Sequence, residues 1–218
     1  LIDRVGAAPG SELERLLEIR VPDLVAYQDR AYAERYVDVV ARVAAERPEL
    51  AEAVARNLHK LMAYKDEYEV ARLHLDAFEL ARLRSEFGED AQVWFNLHPP
   101  LLRALGLKRK LKLGRWFVPA FRMLRAMKRL RGTPFDPFGR TEVRRIEREL
   151  IEEYLGHVEA ALAAPAGSPP ALELCELPDM IRGYEEIKLA SVRRFRARAA
   201  ELLAQLERAE PAAVADGR

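Results

Sequence analysis

Three stretches place side chains at spacings that can do chemistry. Glu149, Glu153 and His157 stand at four-residue steps. On a helix they share one face, where carboxylates and an imidazole can hold a metal ion. A carboxylate-bridged site of that kind needs Glu and His three residues apart and a matching set on a second helix. Neither is present, so a solvated helix face is expected. Lys65-Asp66-Glu67-Tyr68-Glu69 packs four charges into five positions. Within a helix, Lys65 and Glu69 lie four apart and make a surface pair, in the weaker lysine-first order. Cys175 lies between Leu174 and Leu177 and reads as a small buried apolar side chain, not a nucleophile. The histidines His59, His74, His98 and His157 are scattered. His59 and His74 are fifteen residues apart, about four helical turns, too far along one straight helix to share a metal. The chain has no Gly-rich phosphate loop, no nucleophile elbow and no metalloprotease helix signature. No residue is therefore assigned a catalytic, cofactor-binding or metal-binding role.

The 36 Lys+Arg and 35 Asp+Glu side chains balance overall but not by position. Residues 1–90 hold 13 basic and 19 acidic side chains, and residues 136–218 hold 12 and 16. Residues 91–135 hold 11 basic and none acidic. A stretch of that length without a carboxylate creates positive potential wherever it folds. Its basic members run from Arg103 to Arg131. They are densest at Lys108, Arg109, Lys110, Lys112 and Arg115, which form the candidate anion or partner patch. The leading reading is that the block packs against the acidic blocks, within the fold or across a subunit interface. The second is an anionic small ligand, such as a phosphate-bearing cofactor arm. Nucleic acid is disfavoured, because neither an interleaved aromatic platform nor a recognition motif accompanies the charge.

The elements that must position these residues are helices. Half of the 218 residues are apolar, enough for a real core, and 33% are charged, so the class is globular. Only 11 glycines argue against a nucleotide-binding α/β fold. A single cysteine excludes a disulfide framework and a self-contained iron–sulfur cluster. No apolar run approaches the ~18 residues of a membrane span, and no targeting signal opens the chain. With the unpaired cysteine, this favours the cytoplasm. A first residue Leu1 points to a piece of a longer polypeptide. Ser11 with Glu14 opens a short helix ending near Arg20. A second helix is expected from Asp23 to about Glu46, and a third from Pro48, carrying Leu50, Val54, Leu58, Leu61, Tyr68 and Leu75 on one stripe. Residues 23–87 thus read as a helical hairpin, with Phe78–Phe87 extending it or forming another helix stopped by Gly88. Gln92 to Leu97 is the one short strand-like segment, followed by a short helix near Leu101–Leu105 and a basic linker, 108–115. Trp116 to Arg131 reads as a helix with Pro119 in its first turn. Gly132-Thr-Pro-Phe-Asp-Pro-Phe-Gly139 is a loop whose two phenylalanines should anchor it to the core. Trp94 and Trp116 fit core roles as well as a ligand box. Thr141 caps a helix to about Ala163, and a last helix spans about 184–207. The expectation is a mainly all-α, multi-helix bundle, one domain over 1–210 with C-terminal helices at 141–207 and a frayed tail at 211–218.

Four stretches are distinctive together: Lys60-Leu-Met-Ala-Tyr-Lys-Asp-Glu-Tyr-Glu-Val-Ala-Arg-Leu-His74, Phe95-Asn-Leu-His-Pro-Pro-Leu-Leu102, Arg131-Gly-Thr-Pro-Phe-Asp-Pro-Phe-Gly139 and Leu177-Pro-Asp-Met-Ile-Arg-Gly-Tyr184. In that order they resemble the C-terminal helical domain of indolepyruvate ferredoxin oxidoreductases of the long, fused-chain type, over roughly Asn57 to Val192. The resemblance implies a parent enzyme that oxidatively decarboxylates aryl-pyruvates to acyl-coenzyme A, using thiamine diphosphate and iron–sulfur clusters and passing electrons to ferredoxin. The thiamine and cluster motifs of that family belong to other domains, so no catalytic role transfers to any residue here. The expected function is a non-catalytic accessory or assembly domain. The alternative is a docking domain for an anionic ligand or ferredoxin, built on the basic segment 103–131. Expected partners are the remaining domains of the parent, a second copy, ferredoxin or coenzyme A, with neither nucleic acid nor membrane.

Overall fold

Ser11 accepts a hydrogen bond from the Glu14 amide and starts the first helix, as its spacing predicts. That helix, α1 (Glu12–Tyr27), does not stop near Arg20 but runs through Pro22. Leu17, Val21 and Leu24 are all buried on its inner face, while Pro22 is exposed, so the carbonyl it leaves unpaired faces water. The break comes instead at Asp29, whose carboxylate caps α2 (Arg30–Glu46) through the Tyr32 amide. These and the following positions come from a computed structural model that describes residues 1–88, 92–97, 109 and 111–215. A single residue, Arg47, separates α2 from α3 (Pro48–Met62), where Pro48 sits in the first turn as expected. The stripe on α3 ends at Met62. Asp66 caps a separate helix, α4 (Glu67–His74), and Asp76 caps α5 (Ala77–Phe87), which Gly88 ends at φ 90°. The expected hairpin over 23–87 is thus five helices or parts of helices, because Asp29, Asp66 and Asp76 each cap a new start.

The remaining elements are β1 (Phe95–Leu97), β2 (Leu111–Leu113), α6 (Val118–Ala126), α7 (Glu142–Ala163), α8 (Pro169–Glu176) and α9 (Glu185–Ala215), with single 3-10 turns at Ile2–Val5, Arg115–Phe117, Met127–Leu130 and Leu177–Met180. The fold is mainly α-helical, 75% of it, with one small two-stranded sheet among the described residues. The second strand corrects the reading of 108–115 as a linker. Phe95 pairs with Leu113 and Leu97 with Leu111, antiparallel. Leu-Lys-Leu at 111–113 alternates with the period of a half-buried strand, and Leu113 is buried. The helix expected at Leu101–Leu105 lies outside the described residues. The last helix continues beyond 207, through Pro211 to Ala215, carried by alanines of high helix propensity where a frayed tail was expected. Among the described residues no helix is long and apolar enough to cross a membrane.

Where composition suggests one domain, the chain divides into two compact units: Leu1–Tyr64 with Thr141–Arg218, and Lys65–Arg140. The first unit buries Leu17, Leu24, Val40, Val54 and Leu58 from its N-terminal helices with Leu150, Tyr154, Val158, Leu174 and Phe195 from its C-terminal ones. Several of its buried polar groups meet backbone carbonyls, while buried Glu147 is held by the side chains of Arg144 and Lys188. Tyr36 Oη donates to Ala55 O at 2.9 Å, and Tyr154 Oη and Asn57 Nδ2 both donate to Cys175 O at 2.6 and 3.1 Å. The Arg47 guanidinium, 8% exposed, donates to the carbonyls of Ala161 and Ala164 and so closes the C-terminus of α7. Thr141 caps the start of that helix through the Arg144 amide. The second unit is built on Ala71, Phe95, Leu113 and Phe121, packed with Leu75, Phe117 and Leu124.

Candidate functional site

The side chains whose spacing could do chemistry make structural contacts. On α7, Glu149 and Glu153 both reach the Arg196 guanidinium of α9, with Arg196 Nε donating to Glu153 at 3.0 Å. They are neutralised across a helix pair where a purely solvated face was expected. His157 packs its ring on Phe195, centroids 5.6 Å apart, and burial holds its pKa below the usual imidazole range. Among the described residues no group of three His, Cys, Asp or Glu side chains is placed to hold a metal. Cys175 is fully buried, and burial pushes its thiol up to about 12, far from a nucleophile.

The charged patch 65–69 is a buried network, not a surface pair. Lys65 precedes α4, so it is not on one helix with Glu69. Asp66 caps α4 through the Glu69 amide at 2.8 Å and is bound by Arg131, with Nε at 2.5 Å and Nη2 at 3.0 Å. Both side chains of that pair are nearly inaccessible, 6% for Arg131 and 3% for Asp66. Glu69 is buried too and takes a bidentate pair from Arg72. Tyr68 Oη donates to Asp136 at 2.9 Å, deep in the loop 132–139. Asp136 also accepts from the Gly132 amide at 3.0 Å and the Phe138 amide at 3.1 Å. Its burial favours the neutral acid. The Gly132 amide, the Tyr68 hydroxyl and the Phe138 and Gly139 amides outweigh that and hold its pKa below the usual carboxylate range. The reciprocal effect on Tyr68, through burial and then Asp136, is a strongly raised phenol pKa. Only one loop phenylalanine anchors: Phe138 meets the Tyr68 ring edge-on at 5.4 Å, whereas Phe135 is 80% exposed.

Unit 65–140 has a cleft of about 520 Å³ that is open to a ligand. Its apolar lining is Leu75, Leu80, Val93, Phe95 and Val118, and it is also lined by His74 and four arginines, Arg84, Arg115, Arg122 and Arg125. The size is that of a small-molecule pocket. Arg84 comes from the last turn of α5, Arg115 from the turn after β2, and Arg122 and Arg125 from one face of α6. His74 ends α4 with its ring 5.1 Å from both Phe95 and Phe121, and burial lowers its pKa, so it is neutral at neutral pH. None of the four arginines pairs with a carboxylate among the described residues. Beside the cleft's lining, Trp94 and Trp116 are 46% and 70% exposed, contrary to a core role, and flank Gly114.

Of the three described residues among the five singled out by charge density, Arg109, Lys112 and Arg115, only Arg115 lines the cleft. Lys112 is exposed on β2 with its Nζ 4.7 Å from the Trp94 ring centroid, and Arg109 is exposed. Lys108 and Lys110 lie outside the described residues. Charge density missed Arg84, which lies outside the carboxylate-free stretch. Arg122 and Arg125 fall within the basic segment 103–131 but outside the five-residue patch, although their three-residue spacing on a helix without acids was a readable signal.

Residues 13–201 match the model of a family of unknown function, DUF6537. The chain belongs to that family. No curated protein and no solved structure matches it. The DUF6537 span contains the cleft, the Asp136 loop and the Lys60–Asp179 contact, in which the Lys60 ammonium donates to the carbonyls of Pro178 and Asp179 at 3.0 and 2.8 Å.

Proposed function

We propose that this DUF6537 chain is a non-catalytic helical accessory domain of a larger cytoplasmic oxidoreductase of the indolepyruvate ferredoxin oxidoreductase type, and that its unit 65–140 supplies an anion-binding cleft. The observation that carries the cleft reading is the convergence of Arg84, Arg115, Arg122 and Arg125, from three elements, on one apolar-lined cavity without carboxylate partners among the described residues. The accessory reading rests on how the distinctive stretches are used. Lys60 holds the 177–180 turn, Asp66 holds Arg131, and Tyr68 holds the 132–139 loop. Their polar groups are spent on the fold. The residues present do not fit the parent's cofactors: the single cysteine is buried and high in pKa, so cluster and thiamine chemistry are assigned to other domains.

Partners on this reading are the remaining domains of the parent or a second copy, with coenzyme A or acidic ferredoxin as the anionic candidates. Calorimetry of the full chain with inorganic pyrophosphate at low salt is expected to give saturable binding that weakens with salt and is lost in Arg122→Glu/Arg125→Glu. No heat at low salt overturns the cleft reading. Failure of the chain to associate with the rest of the parent enzyme in ultracentrifugation, with the chain itself monomeric, overturns the accessory reading.

A further inference from the structure

Five arginines elsewhere in this chain are neutralised along their own helix. Arg15 pairs with Glu12, Arg30 with Glu34, Arg42 with Glu46, Arg145 with Glu149 and Arg198 with Glu201. On α5 the contrast falls within three residues. Arg82 is held between Glu79 and Glu86, whereas Arg84, which lines the cleft, has no acid three or four positions away. The same holds for Arg122 and Arg125 on α6, a helix without any carboxylate. They stand three apart on one face, where like charges repel. Four arginines thus meet at one cavity, and none of them pairs with a carboxylate among the described residues. An anion placed there relieves a repulsion that the fold itself leaves in place.

The cavity walls narrow the class of anion. An inorganic ion fills a small part of about 520 Å³ and leaves Leu75, Leu80, Val93, Phe95 and Val118 against water. A single carboxylate takes one guanidinium bidentately and leaves three unmatched. His74, neutral and ringed by Phe95 and Phe121, adds an aromatic surface without adding charge.

We infer that the cleft binds an organic phosphate: a dianionic phosphoryl group held among Arg84, Arg115, Arg122 and Arg125, carried on an apolar or aromatic body that covers the Leu80, Val93, Phe95 and Val118 wall. This rests on the anion-cleft reading above and specifies its ligand. Guanidinium forks match phosphoryl oxygens bidentately, and the apolar wall rewards the body attached to them.

The test is isothermal titration of the full chain, at low ionic strength, with four probes: inorganic phosphate, inorganic pyrophosphate, phenyl phosphate and benzoate. Phenyl phosphate is expected to bind one to one and about tenfold more tightly than either inorganic phosphate or benzoate. Leu80→Gln is expected to reduce phenyl phosphate to the level of inorganic phosphate while leaving pyrophosphate unchanged. Equal affinity for phenyl phosphate and inorganic phosphate refutes the apolar-body half of the inference, with the anion cleft intact. Equal affinity for benzoate and phenyl phosphate refutes the phosphoryl half. Absence of binding by pyrophosphate as well takes down the cleft reading itself. The comparison of ligands on the unaltered chain needs no variant to fold.

Discussion

Removing the Asp136 carboxylate is the sharpest perturbation of unit 65–140. Asp136 is 4% exposed, and its Oδ1 accepts from Tyr68 Oη and the Phe138 amide while its Oδ2 accepts from the Gly132 amide. Asp136→Ala strands a fully buried phenol hydroxyl, at about 1–3 kcal/mol, and two amides, of which the exposed Gly132 is readily hydrated. Hydrogen bonds to a charged acceptor are the stronger kind, so the sum is about 3–5 kcal/mol. Asp136→Asn keeps the Oδ1 contacts and turns an amide group on Gly132 N, for about 1–2 kcal/mol. Both tryptophans, Trp94 and Trp116, lie in this unit, so their emission in a urea titration reads it directly. With a urea slope of ~1–3 kcal/mol/M, the Ala variant moves the midpoint down by about 2 M. The acid arm follows from sign. The folded-state pKa of Asp136 is depressed, so its contribution is present above the unfolded value near pH 4 and is lost as pH falls below it. The Ala variant lacks that arm. A midpoint shift worth under about 1 kcal/mol, or an unchanged acid limb, would refute the claim that this carboxylate organises the loop.

Three further outcomes follow from single contacts. A Cβ at Gly139 would stand 2.8 Å from Asp136 Cγ, whereas one at Gly156, mid-way along α7, meets nothing within 4 Å. Gly139→Ala is therefore expected to cost about 2–3 kcal/mol and Gly156→Ala to stabilise by about 0.5–1 kcal/mol, read by denaturant melts; equal effects would contradict the packing. His74 has its pKa lowered by burial, so the unfolded chain binds the proton first and stability falls as pH drops below about 6.5. His74→Phe should flatten the tryptophan-monitored stability between pH 7 and 5, and an unchanged slope counts against it. Cys175, with its thiol at about 12 and no exposure, is expected to resist iodoacetamide in buffer and react only in denaturant; rapid native labelling contradicts its burial.

Several of these features were legible without coordinates. Ser11, Thr141, Pro48 and Gly88 act within a turn of their own position, so the helix ends they set follow from local backbone chemistry. The same holds for Cys175, which sits among apolar neighbours on a short helix, and for the loop forced by two prolines and two glycines. The break at Asp29 and the strand at Leu111–Leu113 had local signals that were outvoted by longer apolar and basic patterns. Other features had no local signal at all. Lys65 and Glu69 looked like a pair because four residues separate them. The partners chosen were Arg131 for Asp66 and Asp136 for Tyr68, 65 and 68 residues away.

The sequence by itself determined the helical class, the starts of most helices and the polarised charge, because periodicity, caps and composition are properties of neighbouring residues. Tertiary structure alone decided which charges are buried and which stay open. Arg131 and Arg125 are the same residue type in the same carboxylate-free stretch. Packing set one against Asp66 inside the second unit and the other on the wall of a cleft, where no carboxylate among the described residues meets it. That choice depends on distances between segments remote along the chain, which no pattern of neighbours encodes.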